Sequence, residues 1–489
     1  MNKSKQIGFW VGILILVISI LITPPEGMRP EAAKALGVTL LMAIWWITEC
    51  IPIYITAFVP IALFPILGIL DADLTTKNYG NNYVLMLLGG FFLAKSIEIS
   101  GLHKRIALFI IKKIGTSRRK IMFSFMLATA FLSFWIANVA VVLLMLPIAL
   151  AIADKEEENK ERNPKFALAL MLAIAYAASI GGTGSLIGTP PNMVFAGVFS
   201  KVFPDLQEID FLEWMKIGVP IVIIVLPITW LYLIKYFKIS GNFAGSKEVI
   251  DEEISSIGKL SIIEKRVFGV FIFTALGWIF RKDIELNNFI LKGWSSLLGV
   301  EEYVHDSTVA MISALLLFTI PSGQKNSTHN RLLNWESASK IPWGVTMIVG
   351  GGYAIAESFN ETGLATFIAS RLSFISEYPS IFVLVTVITF IIFITEINSN
   401  TATANIFLPV LAAMAIAAQM NPLLIMIPAT FACSFSFMLP SGTGTNAVIF
   451  GSNRVTIPEM AKCGLGLNLI GIILLTMLMY LYVLPILTI

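Results

Sequence analysis

Long apolar runs separated by short polar segments make up most of this sequence. Three of them, at 6–25, 217–234 and 464–489, run without a charged side chain for about the length that crosses a ~30 Å hydrocarbon core. Because an unpaired backbone cannot lie in lipid, the pattern predicts an all-α polytopic membrane protein. The apolar segments fall near 7–23, 35–70 (two, broken around Glu49–Pro52), 83–111, 121–153, 166–200, 215–237, 267–280, 307–321, 341–370, 378–418, 422–450 and 464–488.

Two of these segments, 121–153 and 378–418, are each long enough for two half-spans and carry polar residues at their centres. The first contains Asn138, and the second contains Glu396 and Asn400. Helices that face lipid rarely place Asn or Glu at mid-depth. Both segments are therefore predicted to be re-entrant hairpins, with tips buried in protein near the bilayer midplane.

Composition supports a membrane protein and excludes several other classes. The chain has 489 residues, of which 56% are hydrophobic and 13% charged; soluble domains usually carry about 25% charged residues. The net charge of +3 indicates no nucleic-acid surface, and the three cysteines and three histidines share no metal-ligand spacing. The N-terminal apolar run lacks a small-residue cleavage site, so we expect it to be an uncleaved first helix.

The sequence contains an internal repeat. Segment 88–96 resembles segment 350–358, at an offset of 262 residues, and the offset becomes 254 beyond the hairpins. The matching pairs are Gly89 with Gly351, Ala94 with Ala356, Ser96 with Ser358, Gly101 with Gly363, Asn138 with Asn400, Pro147 with Pro409, and 188–194 with 442–448. A loop of different length after the hairpin explains the change of offset.

The repeat divides the chain into a first half, 1–237, and a second half, 266–489. Between them lies the polar segment 238–265, which we expect to hold an amphipathic or linking segment rather than a folded domain. A second polar segment, 154–165, is predicted to be a solvated loop.

Charge distribution predicts the orientation of the two halves. Cations flank the first hairpin on both sides, whereas Arg371 is the one cation near the start of the second, and 417–424 carries no charge. By the positive-inside rule the first hairpin opens to the cytoplasm and the second to the opposite side, which makes an inverted repeat. Lys3 and Lys5 place the N-terminus in the cytoplasm, and we expect eleven full spans plus the two hairpins.

Candidate chemistry concentrates in the two hairpin tips and in two Gly- and Thr-rich stretches, 181–192 and 439–446. The Gly and Pro content of these stretches disfavours an unbroken helix. An unwound helix exposes carbonyl groups that can coordinate sodium and N–H groups that attract a carboxylate. No Arg or Lys lies in them, so N–H and O–H groups and nearby cations, rather than a salt bridge, would hold the anion. The alternative is that Gly and Ser/Thr only allow close helix packing.

Glu49 and Glu396 are the main acidic residues within apolar segments. Glu49 precedes Ile51-Pro52, where it either caps a helix break or binds a proton or cation. Glu396 adjoins the second tip, where it takes part either in cation coupling or in the architecture of the tip.

Together these stretches resemble the divalent anion/sodium symporter family, whose bacterial members include INDY-like dicarboxylate transporters. The resemblance extends from about residue 33 to 455. The stretches that carry it are Trp45-Trp-Ile-Thr-Glu-Cys-Ile-Pro, Gly101-Leu-His-Lys-Arg-Ile-Ala-Leu, Ile187-Gly-Thr-Pro-Pro-Asn, Ile341-Pro-Trp-Gly and Ser399-Asn-Thr-Ala-Thr.

The resemblance implies a homodimer of eleven-helix protomers, in which a transport domain moves against a scaffold domain as an elevator. It implies substrate contacts by Asn138, Thr189, Ser399, Asn400, Thr401 and Thr443. It implies Na⁺ as the coupling ion, with sodium ligands at Ser133, Asn138 and Gly188 in the first half and at Thr395, Asn398, Asn400 and Gly442 in the second.

Two departures from the family pattern affect the site. The first tip has Ala137 and Val139 where the family has Ser and Thr, so it lacks two hydroxyl groups. Gly444-Thr445 stands where the family has Pro-Pro. A buried hydrogen bond to a charged group contributes about 1.5–3 kcal/mol, so these changes bear on which anion is bound.

The leading hypothesis is sodium-coupled uptake of a C4-type dicarboxylate across the cell inner membrane. Alternatives within the family are sulfate or a tricarboxylate as substrate, and sodium-independent anion exchange. Alternatives from other classes are a channel and a membrane-embedded enzyme. The enzyme is disfavoured because the sequence shows no nucleophile–base pair, metal cluster or nucleotide-binding loop, and the repeat with hairpins favours a carrier over a channel.

Overall fold

A computed structural model describes residues 3–115, 117–158, 163–243, 245–286, 289–323 and 330–487. Across these ranges the chain is almost entirely helical, with one antiparallel pair of short strands, β1 (Ile284–Leu286) and β2 (Phe289–Leu291). Eight of the described helices are long and apolar enough to cross a membrane, and four shorter helices are also apolar. The prediction of an all-α polytopic protein is thereby confirmed.

The helices of the first half begin at the N-terminus and end at the polar linker. They are α1 (Lys3–Leu21), α2 (Pro30–Thr48), α3 (Ile53–Thr56), α4 (Val59–Leu67), α5 (Ala72–Lys77), α6 (Asn82–Ser100), α7 (Leu102–Ile114), α8 (Arg118–Ser133), α9 (Asn138–Glu157), α10 (Phe166–Gly182), α11 (Pro190–Val202) and α12 (Phe211–Phe237).

The linker and the second half contain the remaining helices. They are α13 (Gly245–Ile257), α14 (Ile262–Ile279), α15 (Trp294–Leu298), α16 (Asp306–Thr319), α17 (Trp335–Ala338), α18 (Trp343–Glu361), α19 (Leu364–Arg371), a 3₁₀ turn (Ser373–Glu377), α20 (Ser380–Thr395), α21 (Asn400–Ala417), α22 (Pro422–Cys433), α23 (Gly444–Phe450), α24 (Ile457–Leu478), a π-helical turn (Met479–Val483) and α25 (Leu484–Leu487).

The sequence repeat corresponds to a repeat of helices. Seven consecutive helices of the first half, α6 to α12, match α18 to α24 in order, with one extra 3₁₀ turn before α20. The junctions also agree, because Gly101 (φ +77°) immediately precedes α7 and Gly363 (φ +76°) immediately precedes α19, both in a left-handed conformation. A Cβ atom is strained at such angles, which explains why glycine occupies both positions.

The repeated helices of the two halves are interleaved. Helix α11 of the first half packs against α18 and α21 of the second, and α23 of the second half packs against α9 and α10 of the first. Each unwound stretch therefore lies beside a hairpin of the other half as well as one of its own.

Three predicted boundaries differ from the structure. The segment 154–165 is not wholly a loop, because α9 continues to Glu157 and buries Glu156 in an ion pair with Arg118 (Nε–Oε1 2.7 Å); 159–162 lie outside the described residues. The linker 238–265 contains α13, and its last residues already belong to α14. The predicted unwound stretches also shift: the non-helical residues are 183–189 in the first half and 434–443 in the second.

Candidate functional site

Each hairpin tip is a short break between two helices. Helix α8 ends at Ser133 and α9 begins at Asn138; helix α20 ends at Thr395 and α21 begins at Asn400. At the second tip the Ser399 hydroxyl accepts a hydrogen bond from the backbone N–H of Ala402 (3.2 Å), as an N-cap does. Ala137 holds the same position at the first tip and cannot make this bond, so the first tip is capped less well.

Each unwound stretch is closed by an asparagine that follows it. The Asn192 side-chain amide donates to the carbonyl groups of Gly182 (3.2 Å) and Ser185 (2.7 Å). The Asn446 amide, 254 residues later, donates to those of Ser436 and Leu439 (both 3.0 Å). These amides replace the helical N–H donors that the unwound backbone lacks. No separate role was predicted for these two asparagines, although each ends a Gly-Thr-x-x-Asn motif, at 188–192 and 442–446, that recurs in the repeat.

The first predicted sodium ligands lie together in the structure. A Cβ atom added to Gly188 would overlap the Gly182 carbonyl oxygen and lie 2.7 Å from the Ser133 carbonyl oxygen, so three backbone segments meet there. The Ser133 hydroxyl is buried without a hydrogen-bond partner. One side-chain amide atom of Asn138 lies 3.2 Å from the Ala178 carbonyl oxygen and 3.3 Å from that of Gly188.

Two orientations of the Asn138 amide are chemically meaningful. With its nitrogen toward the two carbonyl groups it donates two hydrogen bonds to them. With its oxygen toward them, three oxygen atoms converge without a donor, which is the arrangement a bound cation requires. These residues therefore fit a sodium ion.

The second predicted sodium ligands form a related group. The Thr395 hydroxyl lies 2.9 Å from both the Asn400 side-chain oxygen and the Cys433 carbonyl oxygen, and its single proton can satisfy only one of them at a time. Asn398 is buried, and its side-chain nitrogen has no partner. A Cβ atom on Gly442 would lie 3.0 Å from the Glu396 carbonyl oxygen, so this glycine lets the unwound stretch approach the tip.

The predicted substrate ligands lie where the two halves meet. A Cβ atom on Gly444 would lie 2.6 Å from a methyl group of Val139, so the first tip faces the start of α23 just after Thr443. On the related side, α11 begins after Thr189 and packs against α21, which begins at Asn400. Ser399, Asn400 and Thr401 are half-buried, Thr189 is buried and Thr443 is half-buried.

A chain of hydroxyl groups lies beside this junction. The Thr445 hydroxyl is 3.1 Å from that of Thr443 and 3.2 Å from that of Ser179. In the first half, Pro191 occupies the position of Thr445 and has no hydroxyl. Thr445 therefore supplies a buried hydroxyl group on the side of the site that the second half forms. The first tip lies across from it and lacks the hydroxyl groups that Ser and Thr would provide at positions 137 and 139.

The two acidic residues of the sequence analysis have different settings. Glu396 is buried, and its carboxylate accepts hydrogen bonds from the backbone of the second unwound stretch and from Asn468, so it connects the second tip to these two elements. Glu49 is exposed at the end of α2 in a left-handed conformation (φ +46°) and lines a cavity of about 560 Å³ with Lys5 and residues 50–54. No residue of the tips lines that cavity, and Glu49 lies at the helix break between α2 and α3.

Comparison with known proteins decides the family. Residues 3–489 match the family model described as the sodium:sulfate symporter transmembrane region. The chain belongs to this symporter family. It is thus a membrane transporter and not an enzyme, and the resemblance to divalent anion/sodium symporters is confirmed.

Relatives within the symporter family match along almost the whole chain. A sodium-dependent dicarboxylate transporter, SdcS, of Staphylococcus saprophyticus is 39% identical, over 99% of this chain and 93% of its own length. SdcS of Staphylococcus aureus strain RF122 is 40% identical, over 99% of this chain and 92% of its own length. Both relatives carry sodium dependence and dicarboxylate transport in their names.

Two solved structures share the fold of this symporter. MtrF of Neisseria gonorrhoeae superposes with a TM-score of 0.59 at 14% identity, covering 99% of this chain and 95% of its own. The YdaH transporter of Alcanivorax borkumensis gives a TM-score of 0.55 at 13% identity, covering 99% and 98%. At such low identity the likeness bears on the fold alone.

Proposed function

We propose that this protein takes up C4-type dicarboxylates together with sodium. The observation that carries the proposal is a pair of repeat-related oxygen clusters, each formed where a hairpin tip faces an unwound helix. The names of the relatives at 39% and 40% identity support the same substrate and the same coupling ion.

Neutral groups would bind the dianion in this proposal. The first tip would contribute Asn138, and the two unwound stretches would contribute Thr189 and Thr443. The second tip would contribute Ser399, Asn400 and Thr401. Amide and hydroxyl donors can bind both carboxylates without an ion pair. Because no lysine or arginine of these stretches neutralises the substrate, bound sodium would supply the compensating positive charge, which couples the two binding events.

Sodium would bind in the two clusters described above. Ser133, Asn138 and Gly188 would hold one ion, and Thr395, Asn398, Asn400 and Gly442 the other. Asn138 and Asn400 belong to both the cation and the substrate groups, so sodium binding would position the amides that contact the anion. Broken helices that present carbonyl oxygens to a cation are the usual basis of such sites.

The assembly and the transport movement belong to the same proposal. We infer a homodimer in the inner membrane, with the N-terminus in the cytoplasm and a transport domain that contains both hairpins. This domain would carry the site across the membrane as an elevator. Cross-linking that traps dimers in native membranes would support the assembly, and a monomer throughout would contradict it.

Uptake of labelled succinate into proteoliposomes tests the transport proposal. We expect uptake with an inward sodium gradient and little with a potassium gradient of the same size. Asn400→Ala is expected to nearly abolish uptake and serves as the inactive control. Asn360→Ala, an exposed asparagine near the end of α18, is the matched substitution that should leave uptake unchanged.

Each outcome of this assay bears on a different part of the proposal. Succinate uptake that is equal in sodium and potassium contradicts sodium coupling. Absence of dicarboxylate uptake in both salts, and in exchange mode, contradicts the substrate class. Sulfate and citrate are included as competitors, because the family model names sulfate and the first tip departs from the family pattern. Stronger inhibition by either one than by unlabelled succinate would reassign the substrate.

A further inference from the structure

The carboxylate of Glu396 is enclosed by hydrogen-bond donors. The residue is 3% exposed, and each of its polar contacts is with an N–H or O–H group. The donors are Phe437 N (2.7 Å), Met438 N (3.0 Å to each oxygen), Leu439 N (3.2 Å), Ser436 Oγ (3.0 Å) and Asn468 Nδ2 (2.7 Å). None of these contacts needs a proton on the carboxyl group, so the geometry is that of a carboxylate.

These donors come from the second unwound stretch and from α24. Three consecutive backbone N–H groups, at 437–439, point at one anion that belongs to the protein itself. Such a group of N–H donors is a ready anion site. Because Glu396 occupies it, these three N–H groups are unavailable to a substrate carboxylate, contrary to what unwinding alone suggests.

The first half of the repeat has no equivalent carboxylate. Position 396 minus 262 is Phe134, and position 468 minus 254 is Trp214. The Phe134 ring packs against Gly184, where a Cβ atom would overlap it, and Trp214 donates to the Thr183 carbonyl group (2.9 Å). The N–H groups of Thr183 and Gly184 bond to carbonyl groups one turn earlier (3.2 and 2.9 Å), so this stretch is stabilised without an anion.

The Glu396 carboxylate joins the two walls of the second cation cluster. Glu396 directly follows Thr395 at the hairpin tip. The Ser436 hydroxyl that donates to it lies against Gly442, because a Cβ atom there would overlap that oxygen. The tip and the unwound stretch are thus connected beside Thr395 and Gly442 by hydrogen bonds to a single charged group.

We propose that Glu396 is a positioning residue for sodium binding at the second cluster. It holds the unwound stretch 436–439 at the distance from the hairpin tip that lets both contribute oxygen atoms to one ion. The first cluster does not depend on such a charge, so the two clusters differ in how they are held. This inference rests on the proposed function, since it concerns the sodium dependence of the same transport.

Glu396→Gln tests the proposal in the full-length protein in proteoliposomes. The substitution keeps the size of the side chain but turns an amide nitrogen toward donors. We expect the sodium concentration for half-maximal succinate uptake to rise about tenfold or more, as the loss of a hydrogen bond to a charged group predicts. The KM for succinate at saturating sodium should change less than about threefold. Ser436→Ala and Asn468→Ala each remove one donor and should shift sodium dependence in the same direction by less.

A rescue variant separates positioning from general damage. When Glu396→Gln is combined with Asn468→Asp, a carboxylate returns to the pocket and can accept a hydrogen bond from the amide introduced at position 396. We expect part of the sodium affinity to return. Glu156→Gln is the matched control, because Glu156 is another buried acid, paired with Arg118 at the far end of α9. Its loss should leave the half-saturating sodium concentration unchanged.

The possible results point in different directions. Wild-type sodium half-saturation in Glu396→Gln, or an equal shift in Glu156→Gln, overturns the positioning role while the transport proposal stands. Absence of sodium-dependent uptake in the wild-type protein contradicts the transport proposal itself. If Glu396→Gln is inactive in uptake, the melting temperature of the detergent-solubilised variants is measured against sodium concentration. A sodium-induced rise as large as in wild type then overturns the inference.

Discussion

Neutral side chains supply the polar groups on both sides of the candidate site, but unequally. The second tip has Ser399, Asn400 and Thr401, whereas the first has Asn138 between Ala137 and Val139. Val139 is 38% exposed and touches Gly444 across the junction. Val139 lacks the hydroxyl donor that threonine would have at this position. Its methyl group occupies the space that a side chain at position 444 would otherwise fill.

Restoring the hydroxyl groups of the first tip tests whether this inequality sets selectivity. We expect Ala137→Ser with Val139→Thr to change the ranking of succinate, sulfate and citrate as competitors by about tenfold, because each new hydroxyl can donate to a charged substrate. Valine and threonine have similar shapes, so the contact with Gly444 should persist. Val139→Ile, which adds volume but no hydroxyl, is the control. Identical competition profiles in the double variant and wild type would contradict a role in selectivity.

Polar contacts attach the loop between α11 and α12 to neighbouring elements. The loop between α11 and α12 carries Glu208, which binds His305 (2.9 Å), Lys282 (3.6 Å) and the Tyr83 hydroxyl (3.0 Å). Tyr83 belongs to α6, Lys282 follows the end of α14, and His305 immediately precedes α16. The loop that follows α11 is thereby attached to three other parts of the chain.

The pKa of Glu208 makes this attachment dependent on pH. Burial opposes ionisation, but the hydrogen bond and charge of His305, together with Lys282 and Tyr83, outweigh it and lower the pKa from 4.5 to about 2. A carboxyl group with a lowered pKa stabilises the fold above its unfolded pKa and loses that effect as pH falls through the folded value. Wild type should therefore melt at a higher temperature than Glu208→Gln at about pH 6.

The difference in melting temperature should shrink as pH falls from about 4.5 toward 2. Thermal unfolding of both proteins in detergent across this range is the measurement. Glu336→Gln is the control, because Glu336 is 78% exposed and its pair with Lys340 (3.5 Å) contributes little. A difference between wild type and Glu208→Gln that is constant with pH would rule out the ionised carboxylate as the cause.

For the whole molecule, the charge pattern predicts that the two hairpins open to opposite sides of the membrane. Glu158 follows α9 at the base of the first hairpin, and Ser376 precedes α20 at the base of the second; both are exposed. The three native cysteines are buried, so they should contribute little background. In intact cells an impermeant maleimide should label Ser376→Cys and not Glu158→Cys, and permeabilisation should expose the latter. Labelling of both in intact cells would contradict the inverted arrangement.

The sequence by itself located most of the long helices and showed the repeat that relates them. Lipid requires that backbone groups bond within a segment, so hydropathy along the chain is enough to locate helices. Asn138 and Asn400 were recognisable because polar residues are rare at mid-depth and recur at one offset. Ser133 and Thr395 were predicted from the family resemblance. In the structure, Ser133 lies beside Gly188 of the first unwound stretch, and Thr395 lies beside Asn400.

Only the tertiary structure decided which polar residues bond to the protein's own backbone and which lie at the junction of the two halves. Glu396 meets donors 40 and 72 residues away, and no local pattern shows whether such a carboxylate faces a cation or its own backbone. The second unwound stretch begins at 434 rather than 439, because those same distant bonds stabilise the freed N–H groups. Hydrogen bonds between segments far apart in sequence depend on how the helices pack, which hydropathy does not encode.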